Sequence, residues 1–281
     1  MKRFFLSIFL LVSLAFAKDF KYSCAKIDNF KIPESANIYK NRFIFVSNIN
    51  GNPTSKDKNG YISLLDLKTN FKYLKFLNSL DAPKGIVTWG DYLFVTDIDV
   101  VKVFSISKKK LINIIKLPKA KFLNDITLDP TLKTLYVSDT QGDTIYTISI
   151  KDFKVNNIFY IPNLSPNGLF LKWPYLFIAS WEGGTIYIFD LKKNTVRPLF
   201  KRHTFSNLDG IVIQNNIIYF SDWNLKEGQN KGKLYAFDLK NNKLILIFDN
   251  LKGPADIDVS ENMLVIPEFL GNDVLICYSV R

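Results

Sequence analysis

Six short segments carry the residues best suited to chemistry: Pro33-Glu34-Ser35, Pro83-Lys84-Gly85, Leu123-Asn124-Asp125, Pro166-Asn167-Gly168, Leu208-Asp209-Gly210 and Pro254-Ala255-Asp256. Their middle residues, Glu34, Lys84, Asn124, Asn167, Asp209 and Ala255, recur about every 40 to 50 positions. Two carboxylates and two carboxamides, without Cys or His, make a set of hard oxygen donors, which suits Ca²⁺ or Mg²⁺. A flexible, mixed set fits Ca²⁺ better than the strict octahedron of Mg²⁺. Lys84 supplies the alternative: its ammonium could neutralise Glu34 or Asp209 and fill the site with no metal. The single histidine, His203, excludes a His-His dyad and a His-based zinc site. No Gly-x-Ser-x-Gly elbow supports a serine triad.

The elements that must position these residues are strands. Each segment leads into an apolar run, a short turn and a second run of similar type: Phe43–Ser47, Tyr92–Thr96, Leu135–Ser138, Tyr175–Ala179, Ile217–Ser221 and Met263–Pro267. Third and fourth runs follow, and no stretch holds a helical period. Four strands per unit at this spacing describe a propeller blade. The sequence therefore predicts an all-β six-bladed β-propeller, four antiparallel strands per blade, with the six middle residues ringing one mouth of the central channel. The sixth unit stops at its third strand, and Asp19–Ile27 precedes the first blade. That N-terminal stretch is expected to close the last blade, which would set Cys24 beside Cys277 for a disulfide in an oxidising compartment.

Connections at one end are minimal (Lys40-Asn41, Gly90-Asp91, Asn215-Asn216), while Asn48–Gly60 and Asp222–Lys233 are long. The long-loop rim is expected to be the functional face. Trp181, Trp223 and Phe269 follow second strands and should stand there, whereas Trp89 and Trp173 fall at the opposite turns and read as packing residues. Asp97, Asp139, Asp222 and Glu268 end second strands and read first as turn-capping acceptors.

At the N-terminus, Lys2 and Arg3 precede an apolar run ending in Ala15-Phe16-Ala17, the pattern of a cleaved signal peptide over residues 1–17, with a single propeller domain over 18–281. Thirteen apolar residues fall short of the roughly 20 needed to span a bilayer, so no integral membrane segment is expected after cleavage and the mature protein is expected in the periplasm or outside the cell. Formal charge is +11, about +9 without Lys2 and Arg3. Lysines scattered over turns read as solvated, so nucleic acid is not an expected partner. The excess charge would still favour acidic small molecules or an anionic surface.

The order of Pro33-Glu34-Ser35, Asn124-Asp125 with Asp129-Pro130, Pro166-Asn167-Gly168 and Leu208-Asp209-Gly210 resembles the gluconolactonase-like propellers, the senescence marker protein, gluconolactonase and luciferin-regenerating enzyme group. Val46-Ser47-Asn48-Ile49-Asn50-Gly51 and Gly253-Pro254-Ala255-Asp256-Ile257 resemble its secreted bacterial members. The resemblance covers essentially the whole mature chain. It implies a divalent metal on Glu34, Asn167 and Asp209, with Asn124 beside it and Asp209 as the base that activates water against a lactone or related ester. Where sugar lactonases of the group carry an Arg, this chain has Phe122. Trp181, Trp223 and Phe269 would either wall a less polar pocket or pack between blades, and Phe122 and Lys84 join Asn124, Trp181 and Trp223 as candidate substrate contacts. Related calcium lactonases use a His base, which makes His203 a candidate second acid/base. A non-catalytic propeller that binds a ligand or protein partner on the same rim is the competing reading.

Overall fold

A computed structural model describes residues 2–3, 20–228 and 230–280. The expected leader lies outside the described residues, apart from Lys2–Arg3, which pair with the outer strand of the first blade. Six antiparallel sheets follow one another in the chain, each with four strands of the main fold. Blade 2 shows the pattern: Pro83–Trp89 lies innermost, then Tyr92–Asp97, Val100–Ser105 and the outer Lys110–Lys116. The second strand, Tyr-Leu-Phe-Val-Thr-Asp, is buried almost throughout, because blades pack on both of its faces. The outer strand is mostly exposed, and its burial is correspondingly broken.

The cores therefore lie between blades. Phe94, Val101, Val103 and Ile115 of blade 2 pack on Leu123, Leu135, Val137 and Ile148 of blade 3. The same arrangement joins blade 6 to blade 1 through Ile27, Phe30, Val46, Val265 and Ile276. Removing a large side chain from such a layer loosens two blades together.

The ring closes as expected. Tyr22–Ile27 pairs with Asp273–Ser279 and becomes the outer strand of blade 6. Cys24 lies opposite Cys277, and the two form a disulfide. Tyr22 packs against Phe248 of blade 5 beside it. This crosslink is the form expected in an oxidising compartment. Among the described residues no helix is long and apolar enough to cross a membrane.

Two turn types separate the ends of the propeller. Lys40-Asn41 and Asn215-Asn216 join first to second strands with both residues at positive φ, the tight hairpin conformation that Asn tolerates well. Tyr39 Oη donates to Gly90 O, and Lys172 Nζ to Asn216 Oδ1, so these turns touch from blade to blade around one face. Trp89 packs into the core between blades 2 and 3. Trp173 departs from expectation: it is 50% exposed at the tip of its turn.

Candidate functional site at the channel mouth

Every ring residue except Ala255 sits on an irregularity of its inner strand. Pairing with the second strand skips between Pro33 and Ala36, Pro83 and Ile86, Leu123 and Ile126, Pro166 and Leu169, and Leu208 and Ile211. Such bulges release two residues from the ladder and re-aim their side chains. A hydroxyl near the end of the second strand then pins the bulge. Ser138 Oγ accepts from Asp125 N at 2.9 Å and donates to Asn167 O at 2.7 Å on the next blade. Ser221 Oγ likewise accepts from Gly210 N and donates to Ala255 O. Close approach of the inner strands explains the glycine after the ring residue: a Cβ on Gly168 would fall 2.1 Å from Asp209 O.

The acidic ends of the second strands hold the segments that enter the bulges, as their reading as caps requires. Asp97 accepts from Asp81 N and Ala82 N, just before Lys84. Asp139 accepts from Lys121 N and Phe122 N, just before Asn124. Asp222 accepts from Ser206 N and Asn207 N, just before Asp209. Glu268 accepts from Lys252 N.

These devices bring Glu34, Lys84, Asn124, Asn167 and Asp209 together on one cavity of about 630 Å³. Phe122, Trp181, Trp223 and Phe269 line it as well, with Ile49 and Pro53 from the long blade 1 loop. Trp181 meets Trp223 edge-on at 5.4 Å, and Trp223 packs on Phe269 at 5.0 Å. Ala255 is buried but is not among the lining residues. His203 is not brought to the cavity: it is exposed on its loop, with its N–H donated to Gly183 O.

Three oxygens at this mouth are buried without a hydrogen-bond partner: Glu34 Oε2, Asn167 Oδ1 and Asp209 Oδ1. Stranded acceptors of this kind are costly unless something positive faces them. Lys84 does not fill that role by contact. Its Nζ donates to Pro53 O at 3.1 Å and Ala82 O at 3.2 Å, and lies 4.3 Å from the centre of the Phe122 ring. Burial lowers its pKa, and Glu34 and Asp97 attract it only from a distance. The donor chemistry thus fits a hard divalent cation at Glu34, Asn167 and Asp209. Among the described residues no group of three His, Cys, Asp or Glu is set for a metal, so a cation held here would depend on the amide of Asn167.

Asp209 is held in one orientation, since Trp223 Nε1 donates to its Oδ2 at 2.7 Å, while its Oδ1 is left without a partner. Burial pushes its pKa up to about 7, against the opposing effect of the indole N–H. Burial and the neighbouring Asp209 charge raise Glu34 well above its usual range.

Two further acids escaped the sequence reading. Asp125 accepts from Ile126 N and Leu169 N and shares a hydrogen bond with Asp256, which also accepts from Ser35 Oγ. Both are raised by burial, Asp125 to about 6. Their only signal was adjacency to ring residues, and strict strand alternation argues against it.

The sign of the resulting pH dependence is fixed. These acids hold protons more tightly folded than unfolded, so stability is greatest below pH 4 for this group and falls as pH rises through 6 to 7. Without metal, the thermal midpoint should be higher at pH 5 than at pH 8, as scanning fluorimetry would read. A midpoint that climbs over that interval would contradict the placement of these carboxyls.

No protein-family model and no curated protein matches the chain. Solved structures do resemble it. Catalytically inactive virginiamycin B lyase from Staphylococcus aureus, in complex with quinupristin, superposes with a TM-score of 0.62 at 15% identity, over 92% of this chain and 100% of that one. A Bacteroides thetaiotaomicron protein of unknown function gives 0.66 at 12% identity, over 90% and 72%. The nidogen/laminin complex gives 0.66 at 15%, over 78% and 86%. At these identities the likeness establishes the six-bladed fold alone, and that fold serves an enzyme in one neighbour and a protein complex in another.

Proposed function

We propose that the protein is a divalent-metal-dependent hydrolase, with Ca²⁺ as the metal and a lactone or related ester as the substrate. The observation that carries this reading is the set of three unpartnered oxygens, Glu34 Oε2, Asn167 Oδ1 and Asp209 Oδ1, on residues that line one aromatic-walled cavity. The motif order that resembles the gluconolactonase-like group supports it as well. A cation held by these oxygens would polarise the carbonyl and stabilise its developing negative charge.

The chain's own residues do the rest. Asp209, with a pKa of about 7, can accept a proton from water at Oδ1 near neutral pH while Oδ2 stays on the Trp223 indole. Trp181, Trp223, Phe269 and Phe122 seat the apolar part of a substrate and keep bulk water from it. Lys84 places a positive charge on the cavity wall, where it can orient a polar or anionic end. His203 stands outside this arrangement.

Terbium, a luminescent stand-in for Ca²⁺, tests the metal directly. Trp223 touches Asp209, so excitation of the indole should sensitise terbium emission. Emission should vanish in Glu34→Gln and be displaced by Ca²⁺. Loading should also be pH-linked, because the ligands must lose their protons. At 100 times the dissociation constant, Ca²⁺ contributes about 2.7 kcal/mol, or roughly 5 to 10 °C in thermal midpoint for a domain of this size. That gain should appear at pH 8 and shrink towards pH 5. A midpoint indifferent to Ca²⁺ at pH 8 would remove the metal from the reading.

The competing reading is a non-catalytic propeller that takes a ligand or protein on the same rim. The cationic Lys84 at the mouth and the long blade 1 loop favour it. Ca²⁺-dependent turnover of a lactone panel decides for the enzyme. Inactivity of the unmodified protein across that panel, with a protein partner recovered by pull-down, decides for the binder.

A further inference from the structure

The positive charge of the chain is gathered at the end of the propeller opposite the cavity. That end is built from the turns joining first to second and third to outer strands. With one flanking residue on each side, they span 39–43, 66–71, 89–92, 105–110, 129–134, 149–155, 172–175, 190–195, 214–217, 238–243 and 260–263. They hold fourteen Lys or Arg against seven Asp or Glu. Of those acids, Asp66 is paired with Arg42, and Asp129, Asp190 and Asp238 accept turn N–H groups. Counted the same way, the connections at the cavity end hold eleven Lys or Arg against fourteen Asp or Glu.

The same end exposes apolar side chains on adjoining blades. Leu132 is 56% exposed at the blade 3 turn, and Trp173 and Tyr175 are 50% and 41% exposed at the blade 4 turn. The inner strands leading to these turns lie side by side. Exposed lysines stand among them, including Lys133, Lys172 and Lys192. Single exposed hydrophobics are ordinary on a protein surface. An exposed Trp, Tyr and Leu clustered at turn tips within a field of lysines is the composition of a membrane-interface surface, where aromatic rings sit at headgroup depth and ammonium groups meet lipid phosphates.

We propose that this basal face docks on an anionic lipid bilayer. A soluble polyanion would be satisfied by the lysines alone, whereas the three apolar tips require a less polar phase behind the charges. Lysine rather than arginine dominates, which suits attraction to a charged sheet without bidentate recognition of any one group. Docking in this pose turns the cavity to bulk solvent, so the proposal stands whether or not the cavity is catalytic.

Co-sedimentation with large unilamellar vesicles tests it, using the protein as purified from its producing cells. Vesicles of phosphatidylglycerol and phosphatidylcholine should bind at least tenfold more tightly than pure phosphatidylcholine, with binding weakened by salt. The double change Lys133→Glu with Lys172→Glu should lower binding about tenfold. Trp173→Ser should lower it about threefold and leave the salt dependence unchanged. Each variant is compared with its parent in the same preparation, which cancels any contribution of the apolar N-terminal run. Absence of binding, equal binding to both vesicle types, or variants that bind like the parent would each overturn the proposal. Retention on heparin with none on vesicles would assign the face to a soluble polyanion and overturn it too.

Discussion

Asp209→Asn should lower the Ca²⁺-dependent turnover of a susceptible lactone by about 10² to 10⁴-fold, the usual contribution of a positioned general base. The substitution is nearly isosteric, and the amide oxygen can still accept the Trp223 N–H, so the wall of the cavity should stay in place. Far-ultraviolet circular dichroism unchanged from the parent would confirm that the loss lies in the chemistry. His203→Ala, on an exposed loop away from the cavity, should leave turnover within about twofold. The pair of variants separates the two bases that the sequence offered. Full turnover in Asp209→Asn would end the proposed role of this carboxylate. A large loss in His203→Ala would mean that the loop folds onto the substrate in a way the present arrangement does not show.

Replacing Cys24 and Cys277 by Ser should be the most damaging change to stability. The bridge joins residues 253 apart. In the chain-entropy account, releasing a loop of that length costs about 5 kcal/mol. For a domain of this size that corresponds to a fall of roughly 10 to 20 °C in the thermal midpoint. Reductant added to the unmodified protein should reproduce the fall, and reductant added to the double variant should do nothing further. Equal midpoints with and without the bridge would show that the strand pairing of Tyr22–Ile27 with Asp273–Ser279, and the packing of Tyr22 on Phe248, already suffice.

The architecture was legible because a repeated three-residue motif marks the start of each blade, and because runs such as Tyr92–Asp97 are too apolar to lie anywhere but between two packed layers. Five ring residues reached the cavity for the same reason: position within a repeat translates directly into position around an axis. The bulges were not legible, since nothing in composition separates a regular ladder from one that skips two residues. That gap hid Asp125, because simple alternation would turn it away from the axis if Asn124 faces it. Asp256 was hidden in the same way beside the small Ala255, which offered no side chain to the mouth. Trp173 was misjudged because its turn gives no sign of whether a blade or solvent lies beyond it. The capping acids, by contrast, were readable from their fixed place at the ends of second strands.

The closing strand has a consequence for biogenesis. Tyr22–Ile27 is made before any of the blades and its partner Asp273–Ser279 only after five of them. Until that partner arrives the closing strand must wait unmated, its Cys24 thiol open to adventitious oxidants. A chain cut short anywhere before Cys277 can never latch.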